Sequence, residues 1–404
     1  MTALVRSLLL PLFLPSFLIF IGQGIFSLTI PFFAQSFGVS FVLITVAIML
    51  TPLGNLVGNL PAGILLSRVM PWKVMILGST ILGLSSIATG LFVSFEALVV
   101  LRFISGLGLA LAFLSRYTFV AESIPAIHRG RVSAMFGGIM RFGAFLGPLI
   151  GGFLAGQIGL PATFHLAGVL SLIGGALMLL IDEPMLRSVR TARRRAAPGL
   201  NSFKLFSTRA VLAASGAQIL GSLIRSGRLA IVPLFAAVVL ELDIATTGLI
   251  IGVSTALDMI MFPLSGYLMD RFGRRYNSIP SFALMAVGML LLASAHNAEM
   301  LWAAALVLGI GNGVGAGLMM TLGADLAPVE SKSEFLGIWR FIGNTGNAGG
   351  PIVIGAVADV VGLHLAAAAI AGFGIAAVLV LATLVPETLV RRVSKHMPQA
   401  LDID

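Results

Sequence analysis

Twelve apolar runs, each long enough to cross a bilayer as a helix, constrain this 404-residue chain more than any other feature. They fall at roughly 8–34, 40–66, 73–94, 97–121, 131–156, 161–181, 209–237, 245–269, 277–295, 299–323, 334–358 and 363–385. About twenty apolar residues span the hydrocarbon as helix, which satisfies its own backbone polar groups where no water can. The chain is 58% hydrophobic and 10% charged, where a soluble domain carries about 25% charge. Lipid must therefore solvate much of it. The first run is long enough to span and reads as a helix, not a cleavable signal. The 47 glycines suit helices that pack closely in lipid. The expectation is an all-α integral membrane protein with twelve transmembrane helices.

Charge gives the sidedness. With the N-terminus inside and the runs alternating, nineteen of the 25 Lys and Arg fall in inside segments and the other six within runs. Outside loops hold acids alone: Glu96, Glu241, Asp243, Glu299 and, at a helix end, Asp359. A wrong helix count would scramble this separation, so the positive-inside rule predicts cytoplasmic termini and an even number of spans, with the plasma (inner) membrane as the expected location. The net charge of +9 is thus topological and implies no nucleic acid.

The chain also repeats itself. Shifted back by 203 residues, Gly266, Leu268 and Arg271 fall on Gly63, Leu65 and Arg68. Gly309 falls on Gly106, Asp325 and Pro328 on Glu122 and Pro125, and Gly350-Pro351 on Gly147-Pro148. The expected organisation is a six-helix bundle over 1–184, a basic cytoplasmic linker over 185–208 and a second six-helix bundle over 209–404. Such paired repeats place a site between them.

Between spans 8 and 9 the chain reads Gly266-Tyr-Leu-Met-Asp270-Arg271-Phe-Gly273-Arg274-Arg275. This resembles the hallmark cytoplasmic motif of the major facilitator superfamily, and the resemblance covers essentially the whole chain. It implies secondary transport by alternating access, with Asp270 as a latch acid and Arg271, Arg274 and Arg275 as its basic companions. The first-half copy departs, with Ser67-Arg68 in place of Asp-Arg and Met70-Pro71 in place of Gly-Arg. Ser67 can offer only a neutral hydrogen bond. Arg102-Phe-Ile-Ser-Gly106-Leu-Gly108 resembles a motif whose membrane-embedded arginine is linked with proton transfer; snorkelling to the outer interface is the other reading of Arg102. Glu122 and Arg129 resemble the acid-and-basic signature before span 5 and join Asp325 in the expected gating latch. Gly143, Gly147, Pro148, Gly151 and Gly152, echoed by Gly350 and Pro351, resemble the hinge motif of proton-driven antiporters, although glycine-rich packing alone could explain them.

Six arginines lie within spans: Arg102, Arg116, Arg141, Arg225, Arg228 and Arg340. Each must meet a partner or water. Arg116 and Arg340, near the cytoplasmic ends, are expected to snorkel. Asp258 is the one deep acid and lies at about the depth of Arg225, which shares a helix face with Arg228. The expectation is that Asp258 couples protons or substrate, held by Arg225 or Arg228; a static interhelical pair is the plainer alternative. Gln23, Asn55, Arg141, Gln218, Asn312, Asn344, Asn347 and Phe145 are cavity candidates, with Phe142 and Trp339 as further apolar contacts.

The absence of cysteine excludes disulfides, thiol chemistry and cysteine metal sites, and His128, His165, His296, His364 and His396 lack ligand spacing, so no metal site is expected. No phosphate-cradling loop or nucleophile–base set is found, so an enzyme is not expected. The expected carrier is a monomer without cofactor, driven by a proton gradient, that exports small amphipathic or anionic compounds. Uptake of an organic anion and lipid translocation are the alternatives within the fold.

Overall fold

The computed structural model describes residues 9–124, 126–180, 208–328 and 332–388, and among these every regular element is helical. The first half holds α1 (Leu14–Gln35), α2 (Phe41–Arg68), α3 (Pro71–Leu91), α4 (Phe95–Ser123), α5 (Ala126–Ile158) and α6 (Leu160–Leu177). The second holds α7 (Arg209–Val238), α8 (Ile244–Phe272), α9 (Arg274–Ala293) and α10 (Ala298–Val314), which resumes after a break as Leu318–Leu326. The remaining stretch is Lys332–Thr383. The linker expected over 185–208 lies, but for Thr208, outside the described residues.

Eleven of these helices are long and apolar enough to cross a membrane. The last apolar stretch, Phe335–Thr383, has 49 residues, or about 74 Å of helix, more than twice the bilayer core. Gly362, at φ 84°, divides it into α11 (332–361) and α12 (363–383). Only glycine adopts that backbone without strain. The chain reverses there: Asp359 meets the start of α2, while Glu387 meets the start of α9 at the opposite end. The twelve expected crossings are present. The charged residues define two ends, a basic one with Arg68, Arg271 and Arg274 and an acidic one with Asp243, Glu299 and Asp359.

The 203-residue offset extends to backbone and hydrogen bonds. Ser40 caps α2 by accepting from Leu43 N, and Asp243 caps α8 by accepting from Thr246 N. Ser94 and Asn297 cap α4 and α10 in the same way. Gly159 and Gly362 both have positive φ, as do Gly38 and Glu241. The Thr51 hydroxyl donates to Arg102 O, and the Ser254 hydroxyl to Ala305 O. Gly106 and Gly309 let α4 and α10 approach the backbone of Thr51 and Ser254, where a side chain would clash. The halves are two copies of one six-helix design.

The halves meet along two seams, α5 with α8 and α2 with α11. Toward the acidic end both are tight. Gly152 packs on Ile244 and Gly248, Gly248 on Pro148, and Gly355 on Phe41 and Val42. The Asp359 carboxylate accepts from Phe41 N at 2.7 Å and Val42 N at 3.2 Å, so an α11 acid caps an α2 helix start in the other half. Toward the basic end the seams part: Gly63 on α2, Gly137 and Gly138 on α5, Gly266 on α8 and Gly337 on α11 have open space where a Cβ would point.

Candidate functional site

Between the halves lies a cavity of about 570 Å³. It is lined by α1, α2 and α4 of one half and α7, α10 and α11 of the other. Gln23, Asn55, Arg102, Arg225, Arg228, Asn312, Asn344, Asn347 and Pro351 line it, as expected or near expectation, beside apolar Phe26, Ile30, Leu109 and Phe113. Among its described lining residues none is acidic. Arg102 is 5% exposed, so it does not snorkel; its guanidinium stacks over Phe26 at 4.5 Å. Its Nε, and that of Arg225, find no hydrogen-bond partner among the described residues.

The structure pairs Asp258 differently from expectation. Its Oδ1 lies 2.9 Å from Nη1 of Arg141, across the α5–α8 seam, and its Oδ2 accepts from Asn312 Nδ2 at 2.9 Å. Arg141 also stacks over Phe262. Arg225 and Arg228 instead donate to the carbonyls of Gly315 and Leu308 on α10. Matching depth did not decide the partner, because α5 of the other half packs directly on α8. Arg141 is thereby removed from the cavity lining and becomes a bridge between halves. Gln218 and Phe145 do not line the cavity either: Gln218 packs against Gly343, and Phe145 beside Phe142, itself stacked on Phe17. Trp339 is buried, with Nε1 donating to Met319 O.

The span expected at 299–323 carries a break in α10. It follows a run with glycine at every second position from 309 to 317, and Gly317 has φ 75°. The carbonyls around the break, in apolar surroundings, take side-chain donors from neighbouring helices. Ser281 serves Gly311 O, Asn277 serves Val314 O, Arg225 serves Gly315 O and Ser265 serves Ala316 O. One cavity arginine thus holds the broken helix in place.

Arg116 also corrects its expectation. It is 6% exposed and sits among the rings of Phe20, Phe113 and Phe136, so cation–π contacts replace snorkelling. Arg340 is exposed and lies over Tyr117 of the other half, 5.4 Å from its centroid.

Among the described residues, the expected latch residues of the second half make their contacts within that half. Asp270 is 81% exposed and only 3.7 Å from Arg274, one turn away on the chain. Arg271 turns to Tyr267, and Arg275 to the carbonyl of Ala382. Arg274 Nε donates to Asp325 at 3.0 Å, which also accepts from Thr388. Glu387 caps α9 by accepting from Arg274 N and Arg275 N, at 2.8 and 3.0 Å. These contacts stay within the second half. Ser67 donates to Ile64 O of its own helix, and Arg68 is exposed. The side chains of Glu122 and Arg129 lie outside the described residues. The one sequence signal for Glu387 was an acid standing before a basic tail. The glycines expected to hinge α5 pack closely on neighbouring helices: Gly143, Gly147 and Gly151 lie on α1 and Gly152 on α8, while Gly350 lies on α7.

Comparison with known proteins bears on this arrangement. The family profile of the Major Facilitator Superfamily matches residues 12–276 and 215–399. An uncharacterised MFS-type transporter of Methanocaldococcus jannaschii is 21% identical over 87% of this chain and 91% of its own length. Mouse protein spinster homolog 1 is 33% identical over 37% of this chain and 29% of its own. Among solved structures, a bacterial homologue of the human lysosomal transporter Spinster, inward-facing and occupied, superposes with a TM-score of 0.72 at 15% identity, covering 94% of this chain and 96% of its own. A POT family transporter in complex with a thioalcohol-conjugated peptide gives 0.77 at 12% identity over 92% and 94%. The chain belongs to the major facilitator superfamily and is a multi-pass membrane transporter of that type.

Proposed function

We propose that this protein exports a small amphipathic organic anion by alternating access, in exchange for protons handled at Asp258. The observation that carries the substrate class is the convergence of Arg102, Arg225 and Arg228 on a cavity without an acid in its described lining. An anion would offset those charges, and the apolar rings beside them would take a short hydrocarbon portion. With the basic end cytoplasmic, the structure faces inward, sealed at the outer end.

The coupling rests on Asp258. Its charged form holds Arg141 across the halves, so a proton on Asp258 removes the attraction that keeps the α5–α8 seam together at mid-depth. Arg141 would then be free to part with its half. Asn312 fixes the second carboxylate oxygen and aims the first at Arg141.

The experiment is flux in liposomes under an imposed pH gradient, with decanoate as the anion. The unaltered protein is expected to move protons when decanoate is supplied. Asp258→Asn should pass decanoate down its own gradient without proton movement, and Arg102→Gln with Arg225→Gln should weaken decanoate transport at least tenfold. Unchanged proton coupling in Asp258→Asn would sink the coupling role. Decanoate transport indifferent to both arginines would sink the anion reading.

A further inference from the structure

The ion pair between halves has a mirror image that carries no charge. Shifted by 203 residues, Asp258 falls on Asn55 of α2, and Arg141 falls on Asn344 of α11. The same offset relates the helix caps, the positive-φ residues and the Thr51 and Ser254 hydrogen bonds, so it is a structural correspondence and not only a sequence one. Arg141 and Asp258 bridge the α5–α8 seam; their counterparts sit at the equivalent point of the α2–α11 seam. There the two seams differ. Asn55 and Asn344 both line the cavity, and neither side chain has a hydrogen-bond partner among the described residues. Asn347, one turn from Asn344 on the same helix, lines it as well.

We infer that Asn55 and Asn344 form a substrate-dependent bridge, in which a neutral hydrogen-bonding group of the substrate joins α2 to α11. This rests on the anion reading above and deepens it. Arginines only donate, so they select the anionic end. A carboxamide both donates and accepts, and two carboxamides lining one cavity from opposite halves complement a group that does the same, a hydroxyl or an amide. The substrate class is therefore an amphipathic anion that also carries a hydroxyl or amide. The two seams divide the work. The α5–α8 seam is held by a bond that a proton breaks, and the α2–α11 seam by a bond that a substrate makes. A carrier built this way closes each seam under a different ligand, which is what coupling of two fluxes through one rocking motion requires.

The test uses decanoate and β-hydroxydecanoate as probes on the full chain in detergent. The unaltered protein is expected to bind β-hydroxydecanoate at least tenfold tighter, and Asn55→Ala and Asn344→Ala should each bring the two probes to near parity. The absence of native cysteine allows a second measurement, the distance between spin labels at Leu60→Cys on α2 and Phe341→Cys on α11, both exposed. β-Hydroxydecanoate should shorten that distance in the unaltered background. The pair N55D with N344R should shorten it with no probe present, because the mirrored ion pair is then installed. Equal binding of both probes, or a preference that survives both alanine variants, overturns the bridge and leaves the anion reading standing. An unaltered distance in the charged pair also overturns it. Failure of both probes to bind the unaltered protein overturns the anion reading and the bridge with it.

Discussion

At the scale of single residues, position in the repeat decides which side chains matter. Ser40 and Asp243 occupy the same helix-capping position, yet only Asp243 is ionisable. Hydrogen bonds from the hydroxyl and backbone N–H of Thr246 hold its carboxyl below the ordinary 3.8. A depressed folded value means that the ionised cap stabilises above the ordinary carboxylate range, and that this contribution is lost as the pH falls through it. Because Asp243 is largely exposed, solvent screens most of the charge effect. Asp243→Ala should cost about 1 kcal/mol at neutral pH, the usual loss of an N-cap. Asp243→Asn, which still caps, should show a flatter acid limb than the unaltered protein in thermal unfolding in detergent. An identical acid limb in both would refute the assignment. Capping residues of this kind were legible in the sequence as acids in outside loops, although not as caps. Glu387 was not legible, because its role depends on α12 ending beside the start of α9.

At the scale of helices, glycine placement separates the closed ends of the seams from the open ones. A Cβ at Gly248 would meet Pro148 O at 2.5 Å and Gly152 Cα at 3.1 Å, so α8 could not lie as it does on α5. A Cβ at Gly337 meets nothing within 4 Å. Gly248→Ala should therefore disfavour the state sealed at the acidic end, lengthening label distances across that end. Gly337→Ala should leave them unchanged and add up to about 1 kcal/mol of helix stability. The reverse pattern would show that the glycines do not set the seam. The glycine-rich runs were visible beforehand, but their duty was not. The run at Gly143–Gly152 reads as a hinge by resemblance and as a packing face by its neighbours on α1 and α8. The broken α10 escaped a reading by hydropathy for a related reason. Hydropathy registers apolar residues, whereas the break is held by donors on α7, α8 and α9 that reach the carbonyls around it.

At the scale of the whole molecule, the twelve spans and their two-fold repeat were legible because lipid imposes length and charge sidedness on each span separately. Pairing between halves was not legible, because it depends on which helices face one another. Asp258 shows the limit: its depth was readable, and its partner, Arg141, lay in the other half. That pair makes the sealed state depend on one partly buried bond between two rigid bundles. Removing either partner should destabilise that state by about 2 kcal/mol, the lower end for a buried hydrogen-bonded pair because Arg141 keeps 24% of its side-chain surface exposed. That is about a thirtyfold shift in the ratio of the two states. Asp258→Asn and Arg141→Gln should each produce it, read as populations of spin-label distances across the acidic end. The double variant should shift the ratio little further than either single one, because both remove the same interaction. Additive shifts would mean that the two residues act on the equilibrium independently, and the bond between the halves would lose its place as the proton-sensitive element.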